Sequence, residues 1–466
     1  MKLDTQEIVK AVGGRLLGNH NGEPDAYITS VSTDTRNIMP GSLFVPIVGE
    51  RFDGHEYIQI AAENGAVCAF TEKENLAEAV NIPLIYVAST RRALMDLAGY
   101  YRRLHDIKVV AITGSAGKTT TKDMIYHVLA RKFKTKKTLG NFNNEIGLPL
   151  SIFQLDAHDE MLVLEMGMNH AGEIHELSLT GAPDIAVITH IGDAHIENFE
   201  NREGILHAKL EIVDGLKPGG TVILNGDDPL LTGNIAAEKT NPFNVLYPNS
   251  KNIVKSEQIG LQESRCHFNW NGHDIHLTVP IPGAHMVMNA LLAAVVGMEM
   301  GISPDEIANG FDDFTPAGGR LTVETANDMT IINDVYNANP AAMNEAIKIL
   351  CKQNARRVAI LGDMSELGHV ADARHREVGE FAAEAGVDLL VAIGPLSRHI
   401  YEGFHAVDDN ECRNIRRDSK AIAMHFATSA EFLTKWQELL KPGDIILVKA
   451  SRSMAFEEIT NKLMTP

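Results

Sequence analysis

The amino-acid sequence predicts an α/β protein built as three successive units, and three observations carry that expectation. Short β-branched runs alternate with amphipathic helices through the middle and C-terminal parts, the pattern of parallel sheets covered on both faces. One run, Val109-Val110-Ala111-Ile112, leads directly into a glycine-rich loop and a helix. A break at Thr315-Pro316-Ala317-Gly318-Gly319 then separates two alternating stretches.

The first unit, residues 1–84, opens with a short amphipathic helix. Strands follow at 27–31 and 43–47 around a turn at Pro40-Gly41, then a helix near 57–64 and a strand at 67–71. This reads as a small α/β module. The second unit, 85–314, begins with a helix over 90–103 that bridges into strand 109–113. The next helix carries Met124, Ile125, Val128, Leu129 and Phe133 as one apolar stripe. Strands at 161–165, 185–191 and 221–225 extend a largely parallel sheet. Near the end, Cys266, Phe268 and Trp270 alternate, Asn271-Gly272 turns, and Ile275, Leu277 and Val279 alternate again, which predicts a β-hairpin. The third unit, 315–466, has buried-type strands at 329–335, 358–361, 389–393 and 445–448. Helices such as 341–351 and 373–385 separate them, giving a second doubly wound, Rossmann-like sheet.

Composition narrows the function classes. Across 466 residues, 42 Lys and Arg face 61 Asp and Glu, a formal charge of −19 that argues against nucleic acid or an anionic membrane surface as main partner. The basic run Arg131–Lys137 reads as a solvated helix end. Cys68, Cys266, Cys351 and Cys412 are scattered, so neither a disulfide framework nor a zinc site is expected. No apolar stretch has the length of a signal core or a bilayer span, so a cytoplasmic protein without membrane insertion is expected, with a monomer as the default.

The chemistry concentrates at strand ends. In Thr113-Gly114-Ser115-Ala116-Gly117-Lys118-Thr119-Thr120, two glycines let backbone N–H groups turn inward around phosphate oxygens at a helix N-terminus. Lys118 would reach the outer phosphates and the Thr119 hydroxyl a magnesium ion. The loop is shorter than the usual P-loop, which keeps four residues between its glycines. Glu165 ends the strand 161–165, where a carboxylate beside a P-loop suits magnesium; His195 follows the strand 185–191 within Gly192-Asp193-Ala194-His195. By itself Lys209, on a helix over 204–213, reads as an ordinary surface lysine. Asn333-Asp334-Val335-Tyr336-Asn337-Ala338-Asn339-Pro340 is a polar turn at a helix start, and Lys449-Ala450-Ser451-Arg452-Ser453 a basic loop after the last strand. A P-loop alone also serves switch and motor ATPases and non-catalytic nucleotide-binding regulators.

Taken together, residues 113–120, Gly140-Asn141-Phe142-Asn143-Asn144-Glu145-Ile146-Gly147-Leu148-Pro149, 165–168, 192–197, 208–212, Asn225-Gly226-Asp227-Asp228 and 283–289 fall in the order seen in the Mur ligases. The sequence resembles that family over nearly its whole length. Residues 334–340 and Leu361-Gly362-Asp363-Met364-Ser365-Glu366-Leu367-Gly368 resemble its D-alanyl-D-alanine-adding branch. Thr33-Asp34-Thr35-Arg36, Pro40-Gly41 and Asp53-Gly54-His55 are similar to the family's UDP-sugar domain.

The resemblance implies an ATP-dependent ligase joining D-Ala-D-Ala to UDP-MurNAc-tripeptide through an acyl phosphate. It implies Gly114 to Lys118 on the ATP phosphates, Thr119 and Glu165 on one magnesium ion, and Glu165, His195 and a carbamylated Lys209 on a second. Asn289 and His285 would lie near the adenine, and Arg320 and Asp334 would complete the ATP site from the third unit. Asn143 and Asn144 would meet the muramoyl peptide, with Tyr336, Asn337 and Asn339 also on substrate, and Asp34 and Arg36 would lie near the UDP. Four residues depart from the family pattern: His190 for Asn, Asn333 for Asp, Thr35 for Ser and Ala450 for Gly.

Overall fold

A computed structural model describes residues 1–17, 27–409 and 421–465, so Cys412 lies outside the described residues. The chain forms three α/β units in sequence order, each built on its own sheet.

In the first unit, Ser30–Ser32, Ser42–Phe44, Ala66–Thr71 and Leu84–Tyr86 run parallel, and Arg15–Leu17 adds an antiparallel edge. Its first helix, Thr5–Val12, starts on a capping box in which Asp4 and Glu7 satisfy each other's backbone amides. The helix Thr90–Arg103 leaves this unit and packs on the next. Tyr101 Oη donates to the Leu155 carbonyl at 2.8 Å, and Arg102 Nε donates to that of Gly181 at 3.0 Å.

The middle sheet is parallel throughout. Its spatial order is Asn244–Leu246, Thr221–Leu224, Ile185–Ile188, Lys108–Thr113, Met161–Glu165 and Thr135–Lys137. The central strand is buried from Val109 to Thr113, as a strand covered on both faces must be. The predicted hairpin is present as Glu263–Trp270 and His273–Val279, and Ile253–Ile259 joins it as a third antiparallel strand.

The third sheet has the order Thr322–Ala326, Met329–Asn333, Ile445–Lys449, Arg357–Gly362, Leu389–Ile393 and Ile422–Phe426, with only the first pair antiparallel. Parallel strands bring their carboxyl ends to one edge of a sheet. The carboxyl edges of the middle and third sheets face each other across one cleft, lined from both sides.

Several expectations need correcting. The basic run is not a solvated helix end: the helix stops at Leu129, and Thr135–Lys137 forms an edge strand. Two of its lysines are neutralised locally, Lys137 on Asp123 at 2.8 Å and Lys134 on Asp156 at 2.9 Å, which lets a charged segment pair with a sheet. The strand expected over 185–191 ends at Ile188, and that over 329–335 ends at Asn333, so the residues beyond are loop. Among the described residues, no helix is long and apolar enough to cross a membrane.

Helices Ala371–Ala385 and Arg398–Asp409 pack with their backbones in close approach. A Cβ at Gly379 would collide with the Ile400 carbonyl, and one at Gly403 with that of Arg376. Gly379→Ala should therefore destabilise the third unit by about 1–3 kcal/mol, the usual penalty of overpacking. A thermal midpoint equal to the parent's would show that these helices can part without loss.

Candidate functional site

The glycine-rich loop is held by contacts from the neighbouring strand end. Gly114 and Gly117 have φ of +149° and +83°, a region L side chains rarely adopt. A Cβ on Gly114 would overlap Thr189 Oγ1, and one on Gly117 would lie 2.9 Å from Asn289 Oδ1. The Thr189 hydroxyl donates to the Ala116 carbonyl at 2.5 Å, Ser115 N to that of His190 at 2.7 Å, and Ser115 Oγ to that of Gly192 at 3.3 Å. Thr113 Oγ1 donates to the Met166 carbonyl at 2.8 Å and so ties two strand ends together, away from the cleft. Helix Lys118–Leu129 starts immediately after Gly117, aiming its free N–H groups into the cleft. Lys118 Nζ donates to the Gly114 carbonyl at 2.7 Å. Burial pushes its ammonium below the usual lysine range, while the Glu165 charge works the other way.

Glu165 is buried at the end of its strand. Its Oε1 accepts from Asn143 Nδ2 at 2.9 Å; Oε2 has no hydrogen-bond donor and lies 3.6 Å from Lys122 Nζ. Lys122 also donates to the Gly140 carbonyl at 3.0 Å, so one buried lysine joins the P-loop helix to the loop that presents Asn143. Asn144 points elsewhere: its side chain accepts from Gly147 N at 2.9 Å at the start of helix Gly147–Ile152. His195 adopts a left-handed backbone, φ +63°, and its Nδ1 lies 2.9 Å from Glu366 Oε2 of the third unit.

Lys209 overturns its reading as a surface lysine. It is 1% exposed, among the described residues no hydrogen bond or ion pair engages its amine, and burial with Lys118 nearby holds it well below the usual lysine range. The carbamate at this position is what the family resemblance implied; by itself the structure gives a buried lysine amine.

Among the described residues, no three His, Cys, Asp or Glu side chains converge to cage an ion. Magnesium does not require such a cage; it is commonly held by one or two carboxylates, waters and substrate phosphates. Glu165, with one oxygen undonated, and the Thr119 hydroxyl beside it in the cleft, fit that mode.

The third unit supplies the opposite wall. Arg320 Nη2 donates to Thr119 Oγ1 at 3.1 Å, and its guanidinium stacks 3.7 Å from the Tyr336 ring centroid. Lys449 Nζ donates to Asp334 Oδ2 at 2.5 Å and to the Asn337 carbonyl at 2.9 Å, fixing the polar turn. Asn339 caps helix Pro340–Cys351 by accepting from Ala342 N, and Asn337 Oδ1 accepts from Ala338 N. His285 Nδ1 lies 3.4 Å from Glu345 Oε2 across the units.

The cleft has a volume of about 680 Å³. It brings together Ser115 through Thr120, Asn143, Glu165, His195, His285, Asn289, Arg320, Asp334, Tyr336, Asn337 and Asn339 from the sequence reading. Thr113, Gly114, Asn144 and Lys209 do not line it; Thr113 turns to the Met166 carbonyl and Gly114 packs against Thr189. Asp34 and Arg36 stand apart on the first unit. There Arg36 pairs with Asp34 at 2.7 Å and holds its carboxyl at about 2.

Sequence reasoning missed Lys122, Glu345 and Lys348 on or beneath this cleft. Lys122 had a signal: it sits one helical turn beyond Lys118. Of the departures, His190 pairs with Asp228 at 2.8 Å, and the Ala450 methyl faces Gly362, where a Cβ would be 2.7 Å away. Asn333 Nδ2 lies 3.5 Å from Glu324 Oε1, and its buried Oδ1 has no donor.

Such a cleft can bind a nucleotide triphosphate, neutralise it with buried cations from two units, and screen it from water. Comparisons with known proteins agree with that chemistry. Residues 27–102 match the description "Mur ligase family, catalytic domain", 112–297 "Mur ligase middle domain" and 319–452 "Mur ligase, glutamate ligase domain". The UDP-N-acetylmuramoyl-tripeptide--D-alanyl-D-alanine ligase of Bacillus subtilis is 38% identical over 100% of this chain and 99% of that protein. The protein of the same name from Escherichia coli is 33% identical over 95% and 96%. A crystal structure of MurF from Acinetobacter baumannii superposes with a TM-score of 0.90 at 31% identity, covering 100% of this chain and 99% of that one. MurF from Thermotoga maritima in complex with ADP gives 0.81 at 28% identity, with 93% and 97% covered.

The His285–Glu345 contact has a consequence in acid. The imidazole holds the Glu345 carboxyl at about 2, down from 4.5, with burial acting against it and Lys348 adding to it. A depressed carboxylate stabilises the fold above its unfolded pKa and loses that contribution as pH falls toward the folded one. Glu345→Gln should flatten the loss of thermal midpoint between about pH 4.5 and 2. An acid limb identical to the parent's would remove this pair as its source.

Proposed function

The chain belongs to the Mur ligase family, and on that premise we propose that it joins D-alanyl-D-alanine to UDP-N-acetylmuramoyl-tripeptide using ATP. The observation that carries this reading is the two-walled cleft, with a phosphate loop and Glu165 on one side and Arg320, Asp334 and Lys449 on the other. Near full-length similarity to relatives bearing that name supports the choice of substrates.

A carboxylate is a poor electrophile. In the proposed reaction the terminal carboxylate of the tripeptide attacks the γ-phosphorus of ATP, ADP leaves, and an acyl phosphate forms. The amine of D-Ala-D-Ala, having lost a proton, then attacks the acyl carbon; the C–O bond to phosphate breaks and an amide results. Ser115 to Lys118 hold the phosphates on a loop that Gly114 shapes from behind, and Lys118 offsets charge on the transferring group. Arg320 closes over Thr119 from the third unit and excludes water.

Thr119 and Glu165 would hold one magnesium ion, and Glu165, His195 and carbamylated Lys209 a second. Such ions supply Lewis-acid stabilisation of phosphoryl oxygens. Asn289 and His285 are assigned to the adenine, and Asn143, Tyr336, Asn337 and Asn339 to substrate. Asn144 is kept as a neighbour of the peptide through its loop rather than its side chain. The UDP end is assigned to Asp34 and Arg36. The units 1–84, 85–314 and 315–466 are taken as the domains, acting as a monomer in the cytoplasm.

The direct test is phosphate release from ATP with UDP-MurNAc-tripeptide, with and without D-Ala-D-Ala, followed by the mass of the product. Sustained release that needs the dipeptide, together with a pentapeptide mass, is expected. Nucleotide hydrolysis indifferent to both precursors would overturn the assignment.

Lys209→Ala should lose nearly all turnover and regain part of it with added short carboxylates, which replace the lost oxygen ligands. Full activity of the unrescued variant would take Lys209 out of the reaction.

A further inference from the structure

The loop after strand Ile185–Ile188 is where the third domain docks. Asp193, buried on that loop, pairs with Arg202 of its own domain at 2.5 Å and with Arg374 of the third at 3.0 Å. Glu197 N donates to the Glu366 carbonyl at 3.4 Å. Between these two contacts, the Glu366 carboxylate reaches Nδ1 of His195 at 2.9 Å. Both residues hold left-handed backbones, φ +65° and +63°, and neither is glycine. Such conformations persist where surrounding structure imposes them, and they cluster at working sites.

A carboxylate at one ring nitrogen fixes which nitrogen keeps its proton. With the Glu366 carboxylate against Nδ1, the ring is held from that side and Nε2 is the nitrogen left to act as a ligand. His195 lines the cleft, whereas Glu366 arrives only with the third domain.

We propose that Glu366 is a positioning residue for His195, delivered across the domain interface, so that docking of the third domain and capture of the His195-bound cation are one event. The proposal rests on the reading of His195 as a metal ligand. It assigns the segment Ser365-Glu366 a role in the middle domain's metal site, although it lies in another domain.

The test uses the full-length protein with Mn2+ as the probe and a non-hydrolysable β,γ-imido analogue of ATP, following free Mn2+ by electron paramagnetic resonance. The parent should bind two ions, and His195→Ala one. Glu366→Gln should keep the first ion at parental affinity and bind the second about 10- to 100-fold more weakly, the usual effect of losing such a partner. Glu366→Asp should recover part of that loss. Arg374→Ala, which loosens docking without touching the imidazole, should also weaken the second ion. Glu366→Gln and Arg374→Ala that bind both ions as the parent does, beside an His195→Ala variant that loses one, would overturn the proposal and leave the metal reading intact. Two ions bound by His195→Ala would instead remove the metal reading, and this proposal with it.

Discussion

A carboxylate buried without solvent must be met by charge or hydrogen bonds, and Glu165 imposes that requirement on everything around it. Its strand end is fixed by its own N–H on Thr138 Oγ1 at 3.0 Å, one oxygen takes the Asn143 amide, and the other faces Lys122. Lys122 is fully buried for the same reason and reaches the Gly140 carbonyl. The phosphate-loop helix, the strand end and the 140–144 loop are thus tied at one carboxyl group. Whatever binds beside Glu165 shifts the balance of that whole cluster.

The third domain answers with charges of its own, and they are similarly pre-paired. Lys449 holds Asp334, Tyr336 backs Arg320, and Glu345 faces His285. Each pair keeps a side chain in a defined position before any ligand arrives. That reduces the ordering cost on binding and makes geometry, more than flexible reach, the basis of selectivity. The wall is also discontinuous in sequence, because residues from 320 to 449 meet only through the parallel order of the third sheet.

Much of this was legible beforehand. Strong apolar runs announced the central strands, and glycines followed by Lys118 and Thr119 announced the loop. Edge elements such as Thr135–Lys137 and Ile253–Ile259 were not legible, because charged or mixed sequences become strands only when a neighbour supplies the ladder and the counter-charges. Lys209 was misread from sequence alone since nothing local distinguishes a buried lysine; its burial is a property of the surrounding helices and strands. Asn143 and Asn144 are adjacent and chemically identical, yet one faces the carboxylate and the other caps a helix. Which does which depends on backbone direction. Glu366 lay in a segment the resemblance marked, but its contact with His195 was not legible because the partner is in another domain.

The shortness of the phosphate loop has its own implication. Thr189, His190 and Gly192 brace it from the loop that follows a strand more than seventy residues later in the chain. A longer loop can shape itself from local turns, whereas this one borrows its form from a neighbour. The braced form of the cradle therefore depends on the segment Thr189–Gly192, and a fragment ending before that segment would lack the contacts that hold the loop in shape.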